Sequence, residues 1–308
     1  MRFISIVGAC FNEADNIEEF VARTQAAMEQ LPYRYELILI DNCSTDGTGE
    51  IVRRLAAKDE RVKVILNARN FGHVRSPVYG LLQASGECAL LLASDLQDPP
   101  ELIPTFLAKW EEGFKAVVGV KGESEETPLF FFIRKSYYNL VHRLAEYDII
   151  RNFTGFGLYD QVILDYCRTL EDPYPYFRGL ISEIGLPIAS IPFTQTRRKR
   201  GVTKNNFYTL YDMAMLGITN HSKVPLRLAT MMGFGMSLLS LLVAFGYLIY
   251  KLVFWYSFPV GQAPMIIGLF LFSSVQLFFI GILGEYIGAI HTQVLRRPLV
   301  VEKERINF

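Results

Sequence analysis

The feature that most constrains this chain is a break in composition after Arg227. From Leu228 to Trp255 the sequence is apolar apart from Lys251, and from Met265 to Gly284 it carries no charge at all. Each run is long enough for a helix to cross a hydrocarbon core of about 30 Å, which takes roughly 20 residues. The segment between them, Tyr256 to Pro264, is short, uncharged and contains two prolines. Lys223 and Arg227 precede the first run, and Arg296, Arg297, Lys303 and Arg305 follow the second. By the positive-inside rule, both ends of this hairpin face the cytoplasm and its turn faces outward. A buried hairpin of a soluble protein is the weaker reading. Residues 206 to 220 mix aromatic and aliphatic with polar side chains, as in a helix lying along a membrane surface. The expected divisions are a cytoplasmic domain over 1–204, a juxtamembrane segment over 205–227, a two-helix transmembrane hairpin over 228–290 and a cytoplasmic tail over 291–308.

Before the break, short apolar runs alternate with helical patterns. Phe3 to Ala9, Glu36 to Ile40, Val62 to Leu66, Cys88 to Ala93 and Ala116 to Val120 read as strands buried on both faces. Between them lie helical stretches over Asn16 to Gln30, Gly49 to Ala57, Val78 to Ser85 and Glu101 to Glu112, with Asn67 to Pro77 as a loop. Strand–helix alternation of this kind predicts an α/β domain with a largely parallel sheet. Phe153 to Tyr159 is a glycine-bearing loop or strand, and Ile188 to Phe193 a further strand. The amino-terminal run is too short for a signal peptide and meets Asn12-Glu13 at once. Cys10, Cys43, Cys88 and Cys167 form no CxxC pair and read as free thiols in a reducing compartment. Basic and acidic residues balance at 31 each, which argues against a nucleic-acid binder.

In an open α/β sheet, ligands bind at the carboxyl ends of strands. Asp95 stands at such an end, with Gln97 two residues on and Pro99-Pro100 opening the next helix. A carboxylate with an amide oxygen at i+2 suits Mg²⁺ or Mn²⁺ beside a diphosphate; the competing reading is a helix cap. Asp41 ends the second strand and opens the polar loop Asn42-Cys43-Ser44-Thr45-Asp46-Gly47-Thr48, where Asp46 reads as turn chemistry. Arg197 to Lys204 is the densest basic run of the chain. His73 and His142 lack ligand spacing.

Phe11-Asn12-Glu13, Asp41 to Thr48 and Asp95-Leu96-Gln97-Asp98-Pro99-Pro100-Glu101, in that order, resemble the motifs of family 2 glycosyltransferases of GT-A fold. The two apolar runs and Leu283-Gly284-Glu285-Tyr286-Ile287-Gly288 extend the likeness to the polyprenyl-phosphate branch of that family. The resemblance implies an inverting transfer of a hexose from a UDP- or GDP-sugar to a polyprenyl phosphate at the cytoplasmic membrane, with Mg²⁺ or Mn²⁺. It implies nucleotide-sugar contacts at Glu13, Asp41 and Asn42, with weaker support for Lys121 and Arg134. Asp95 and Gln97 would hold the metal. Asn42 stands where relatives commonly have a second acid, and Ala93 where they have the first acid of Asp-x-Asp. Uracil and guanine both stay open.

Arg198, Arg200 and Lys204 lie in a pattern similar to the family's Arg-x-x-Gly-x-Ser-Lys, which implies that they hold the acceptor phosphate. A polybasic patch for anionic headgroups is the plainer reading of the same residues. Asp160 is the carboxylate nearest the segment where relatives place a catalytic acid; a surface role weighs about equally. Glu285, near the end of the second run, reads as structural. A processive polysaccharide synthase would carry a Gln-x-x-Arg-Trp motif, which is absent from the sequence. A non-catalytic membrane scaffold stays open because of Ala93 and Asn42. Glycines at 233, 235, 281, 284 and 288 offer small-residue surfaces for self-association.

Overall fold

The computed structural model describes residues 2–122, 150, 152–170, 172–194, 224–254 and 262–308. Residues 206–220, assigned above to a helix along a membrane surface, lie outside them. The domain is built on one eight-stranded sheet. Its strands are β1 (Phe3–Cys10), β2 (Arg34–Asp41), β3 (Val62–Asn67), β4 (Cys88–Ala93), β5 (Ala116–Lys121), β6 (Phe153–Asp160), β7 (Ile188–Phe193) and β8 (Glu302–Ile306). They lie side by side in the order β7-β5-β6-β4-β1-β2-β3-β8. β6 runs antiparallel to β4 and β5, and β8 antiparallel to β3; the other pairs are parallel. This is the mostly parallel α/β sheet that the alternation predicts.

Both faces of the sheet are covered, which is why its central strands are apolar at nearly every position. Side chains alternate across the pleat, so Ile4, Ile6, Leu37, Leu39, Leu90 and Leu92 pack on one side. There they meet α1 (Ile17–Glu29), α2 (Thr48–Lys58) and α4 (Ile103–Glu111) through Phe20, Val52 and Phe106. Val7, Ile38, Ile40, Ala89 and Leu91 face the other side. α3 (Gly72–Leu82), α5 (Gln161–Thr169) and α6 (Phe177–Glu183) cover them through Leu81, Leu164 and Ile181.

α3 begins at Gly72, so the loop expected over Asn67 to Pro77 is half helix. Pro77 sits inside α3 and deprives it of one hydrogen bond. The early start is held by Asn70, whose side-chain oxygen takes the Gly72 N–H at 2.7 Å while Gly72 turns at φ +88°. Gly80 then lets α3 pack close on the sheet: a Cβ there would lie 3.0 Å from Val7 and Ile40.

The tail is also different from expectation. β8 lies in the sheet beside β3, so residues 302–306 complete the first domain rather than trailing from it. Glu304 takes two hydrogen bonds from Arg53 at 2.8 and 3.0 Å, and Tyr79 donates to Glu302 at 2.9 Å. Asn307 donates to the carbonyls of Ala56 and Val62 at 2.8 Å each. Charged side chains are a common way of protecting an outermost strand from further pairing, and they also hide it from a hydropathy reading.

The apolar runs form α7 (Val224–Val253) and α8 (Gln262–Val294), of 30 and 33 residues. α8 starts before Met265 and runs on past Glu285. Among the described residues one stretch, Phe272–Val294, is long and apolar enough to cross a membrane; the apolar part of α7 found so is the shorter Val224–Leu239. Large apolar side chains stand open on both helices, Phe234 at 74% and Met265 at 79% exposure among them.

Candidate active site

The carboxyl edge of the sheet gathers most of the predicted residues. Cys10 pairs with Asp41 and Ala9 with Ala93, so the chain leaves β1, β2 and β4 at about one level. The connection order reverses between β1 and β4, and such a switch point opens a crevice. The backbone is forced there: Asn12, Cys43 and Leu96 turn through positive φ at 57°, 63° and 60°, and Asn152, just before β6, at 57°. Each is a conformation that a side chain disfavours, and such outliers cluster at functional sites.

Asp95 and Gln97 are half-buried, whereas Leu96 and Asp98 between and beyond them are buried at 6%. Leu96 and Asp98 thus anchor the loop and leave the two oxygen-bearing side chains at its surface. Asp95 Oδ1 takes the Gln97 N–H at 3.1 Å, and Asp98 Oδ2 takes the Ala93 N–H at 3.1 Å. Ser94 ties the loop to β1 through the Ala9 carbonyl at 2.8 Å. Burial pushes the Asp98 carboxyl up to about 7, with Asp95 adding to the shift and Lys121 and Arg178 opposing it. Asp98 is therefore a buried clamp of this loop, just ahead of the short helical turn that opens at Pro100.

Glu13 is brought to the same edge by a set of bonds between two loops. Asn12 N–H donates to Ser44 Oγ at 2.8 Å, Glu13 N–H to Thr48 Oγ1 at 2.9 Å and Thr45 N–H to Asn12 Oδ1 at 2.8 Å. Asp46 takes Ala14 N–H at 3.1 Å and Thr48 Oγ1 at 2.5 Å. Burial raises its pKa, yet these donors hold it below the usual range, as a turn residue should be held. Asp41 is 3% exposed and accepts from the Ser44 hydroxyl and from its N–H at 3.2 Å; burial outweighs those bonds and pushes its pKa up. Lys121 ends β5 at this edge, because β5 runs the same way as β4.

Asn42 does not offer its amide to a ligand. Its Nδ2 donates to Asn70 Oδ1 at 2.9 Å and Gly72 O at 3.2 Å. Its Oδ1 accepts from Asn67 Nδ2 at 3.1 Å and Phe71 N at 2.8 Å. Two donors and two acceptor positions are an amide's whole capacity. The expectation that Asn42 touches the nucleotide is corrected: it knots β2, β3 and the start of α3 together.

Asp160 is corrected as well. It pairs with Cys88, the first residue of β4, and so lies at the opposite end of the sheet from Asp95. It caps α5 through Val162 N–H at 3.0 Å and takes Trp110 Nε1 at 2.7 Å and Lys115 Nζ at 3.0 Å. Burial raises its pKa, but those three donors hold it low. Arg134, Arg198, Arg200 and Lys204 lie outside the described residues. Arg178, on α6, had no sequence signal, since nothing in Tyr176-Phe177-Arg178-Gly179 fixes which way that short helix points. Its charge acts on Asp98, His73 and Tyr159, within electrostatic reach of the Asp95 loop.

Among the described residues no three His, Cys, Asp or Glu side chains cluster as a metal cage. Asp95 and Gln97 supply hard oxygen donors on one turn and fit a cation that takes its remaining ligands from water and substrate phosphates, as Mg²⁺ does.

Residues 5–169 match the model of Glycosyl transferase family 2. The chain belongs to that family and is a glycosyltransferase. It is 35% identical over 301 residues to the "Uncharacterized glycosyltransferase YkcC" of Bacillus subtilis (strain 168), covering 96% of this chain and 92% of that one. It is 31% identical over 303 residues to the SfII prophage-derived bactoprenol glucosyl transferase of Shigella flexneri, covering 98% and 97%. Superposition on mannosyl-3-phosphoglycerate synthase from Rubrobacter xylanophilus is loose, at a TM-score of 0.49 and 16% identity over 70% of this chain and 71% of that one. The family assignment rests on the sequence.

Proposed function

We propose that this enzyme moves a hexose from a nucleotide-sugar to a polyprenyl phosphate, with inversion, at the cytoplasmic face of a membrane. The observation that carries the acceptor is the near full-length likeness to a bactoprenol glucosyl transferase. The geometry fits. A phosphate monoester has its second pKa near 6 and is mostly dianionic at pH 7, so it attacks without a strong general base. That Asp160 lies far from the site thus removes nothing the reaction needs.

Asp95 and Gln97 would hold Mg²⁺ or Mn²⁺, which when bound supplies positive charge to the leaving diphosphate. Glu13 and Asp41 meet the nucleoside in this reading. Lys121, Arg178 and, outside the described residues, Arg134 add charge along the diphosphate; Arg198, Arg200 and Lys204 grip the acceptor. Fixed cations that orient both phosphates are the main catalytic resource for such a transfer.

The membrane reading is supported by connectivity. The sheet that precedes α7 also contains β8, which follows α8. A chain that returns to the sheet it left crosses a bilayer an even number of times. If Phe272–Val294 spans, a second crossing is needed between β7 and β8, and in this reading α7 supplies it. Uncovered apolar side chains along both helices fit lipid contact.

Purified full-length protein, given a panel of UDP- and GDP-sugars and undecaprenyl phosphate with and without Mn²⁺, is expected to label the lipid from one donor and only with metal. Folded protein that labels lipid from none of them overturns the reading.

A further inference from the structure

Where α8 ends, a cavity of about 230 Å³ opens between the catalytic domain and the linker to β8. Val78 and Leu82 of α3, Phe177 and Leu180 of α6, and Leu299 of the linker give it an apolar wall. Arg296 and Arg297 stand at the linker side. Asp172, the carboxylate of this lining, is turned to other donors, Gln293 Nε2 at 2.8 Å and Tyr174 N–H at 2.9 Å. The first of these bonds ties the loop before α6 to the last turn of α8, so the cavity opens beside the end of the apolar helix.

Cations collect along the same linker. Arg75 donates to the Pro298 carbonyl at 2.5 Å. Its guanidinium and that of Arg69 both lie over the Phe71 ring, at 5.3 and 4.1 Å from the centroid. Arg75 Nε is buried with no hydrogen-bond partner among the described residues. Burial first, then the like charges of Arg69 and Arg297, pull the Arg75 pKa below its ordinary value, with Tyr174 opposing them. Arg69 and Arg297 are exposed. Arg75 thus has a like charge on either side, and such repulsion raises the free energy of the fold unless an anion joins the group.

We infer that this cluster and the adjoining apolar cavity form a site for an anionic phospholipid of the surrounding bilayer. The arginines take the headgroup phosphate and the cavity takes the first part of an acyl chain. The site rests on the membrane reading of α8 given above. An arginine beside an anionic headgroup contributes about fivefold in affinity.

The test is native mass spectrometry of the full chain released from nanodiscs of phosphatidylcholine with phosphatidylglycerol. The wild type is expected to retain phosphatidylglycerol. Arg69→Gln with Arg297→Gln should lower retention by about 25-fold, and the two Arg→Lys changes should keep most of it. Both positions are exposed, so the charge is removed without disturbing the core. Equal retention by wild type and the glutamine variant overturns the site, as does displacement of the lipid by millimolar inorganic phosphate or by equimolar undecaprenyl phosphate. The readout uses no sugar transfer, so it stands apart from the donor and acceptor assignments. Protein that fails to enter the nanodisc overturns the membrane reading itself, and protein that enters without a preference overturns this site alone.

Discussion

Asp95 is bonded within its own turn by an N–H that an asparagine oxygen would equally accept. Asp95→Asn should therefore keep the melting temperature and lose transfer by 10²- to 10³-fold, the cost of one misplaced electrostatic contact in a transition state. Circular dichroism beside the lipid-labelling assay separates the two effects. Asn42→Ala behaves in the opposite way. It leaves the buried Phe71 N–H without its acceptor, at about 1–3 kcal/mol, and leaves the Asn67 amide with Ser76 Oγ alone, so the melting temperature should fall clearly. Unchanged stability would show that the knot is redundant. Arg178→Gln should raise the donor KM by roughly tenfold or more, the range for a hydrogen bond to a charged group, with little change in melting temperature. That Asp95, Gln97 and Glu13 stand at the carboxyl edge of the sheet was legible because each follows closely on a continuous apolar strand run. Asn42 was misread because its partners at 67 and 70–72 are distant in sequence. Asp160 was misread because nearness along the chain to a glycine-rich segment says nothing about which end of an antiparallel strand a residue occupies.

At the scale of elements, β1 to β5 and β7 were legible to within a residue or two, since a strand covered on both faces leaves a continuous apolar run. α3 was not, because Pro77 and the polar residues before it look like a loop until the Asn42–Asn70 bonds are known. The foot of the sheet carries a further consequence. Glu36 on β2 is 1% exposed and is met by Lys63 at 2.6 Å, Ser5 at 2.5 Å and the Ser85 N–H at 2.9 Å. Burial raises its pKa, but these partners hold it below the ordinary glutamate value. A carboxylate with a lowered folded-state pKa contributes stability above its unfolded pKa, and this is lost as pH falls through the folded value. Stability should thus decline on the acid side of the ordinary glutamate pKa. In Glu36→Gln, chemical denaturation across pH 3 to 7 should show a flatter acid limb; an identical limb would remove Glu36 from the account.

For the whole molecule, the composition break at Arg227 foretold two long helices, and the structure contains them, with one stretch among the described residues, Phe272–Val294, long and apolar enough to cross a membrane. What composition could not tell is that the polypeptide comes back to the domain it left. A charged segment of five residues, β8, is invisible to hydropathy and decisive for topology. With an even number of crossings, Phe258→Cys in a Cys43→Ser background should be labelled by an impermeant maleimide only from the face opposite the catalytic domain. Labelling from the catalytic side would mean that neither helix crosses.

The place of β8 in the chain also sets an order of events during synthesis. Ribosomes deliver β3 before the two apolar helices and β8 after them. Throughout that interval the outer edge of β3, Val64 to Asn67, waits with its peptide groups unpaired. The nascent domain can close its sheet only after α7 and α8 have been released from the exit tunnel and placed. Completion of the catalytic sheet therefore reports that the preceding helices have been delivered, and a chain interrupted within them keeps an open, adhesive edge.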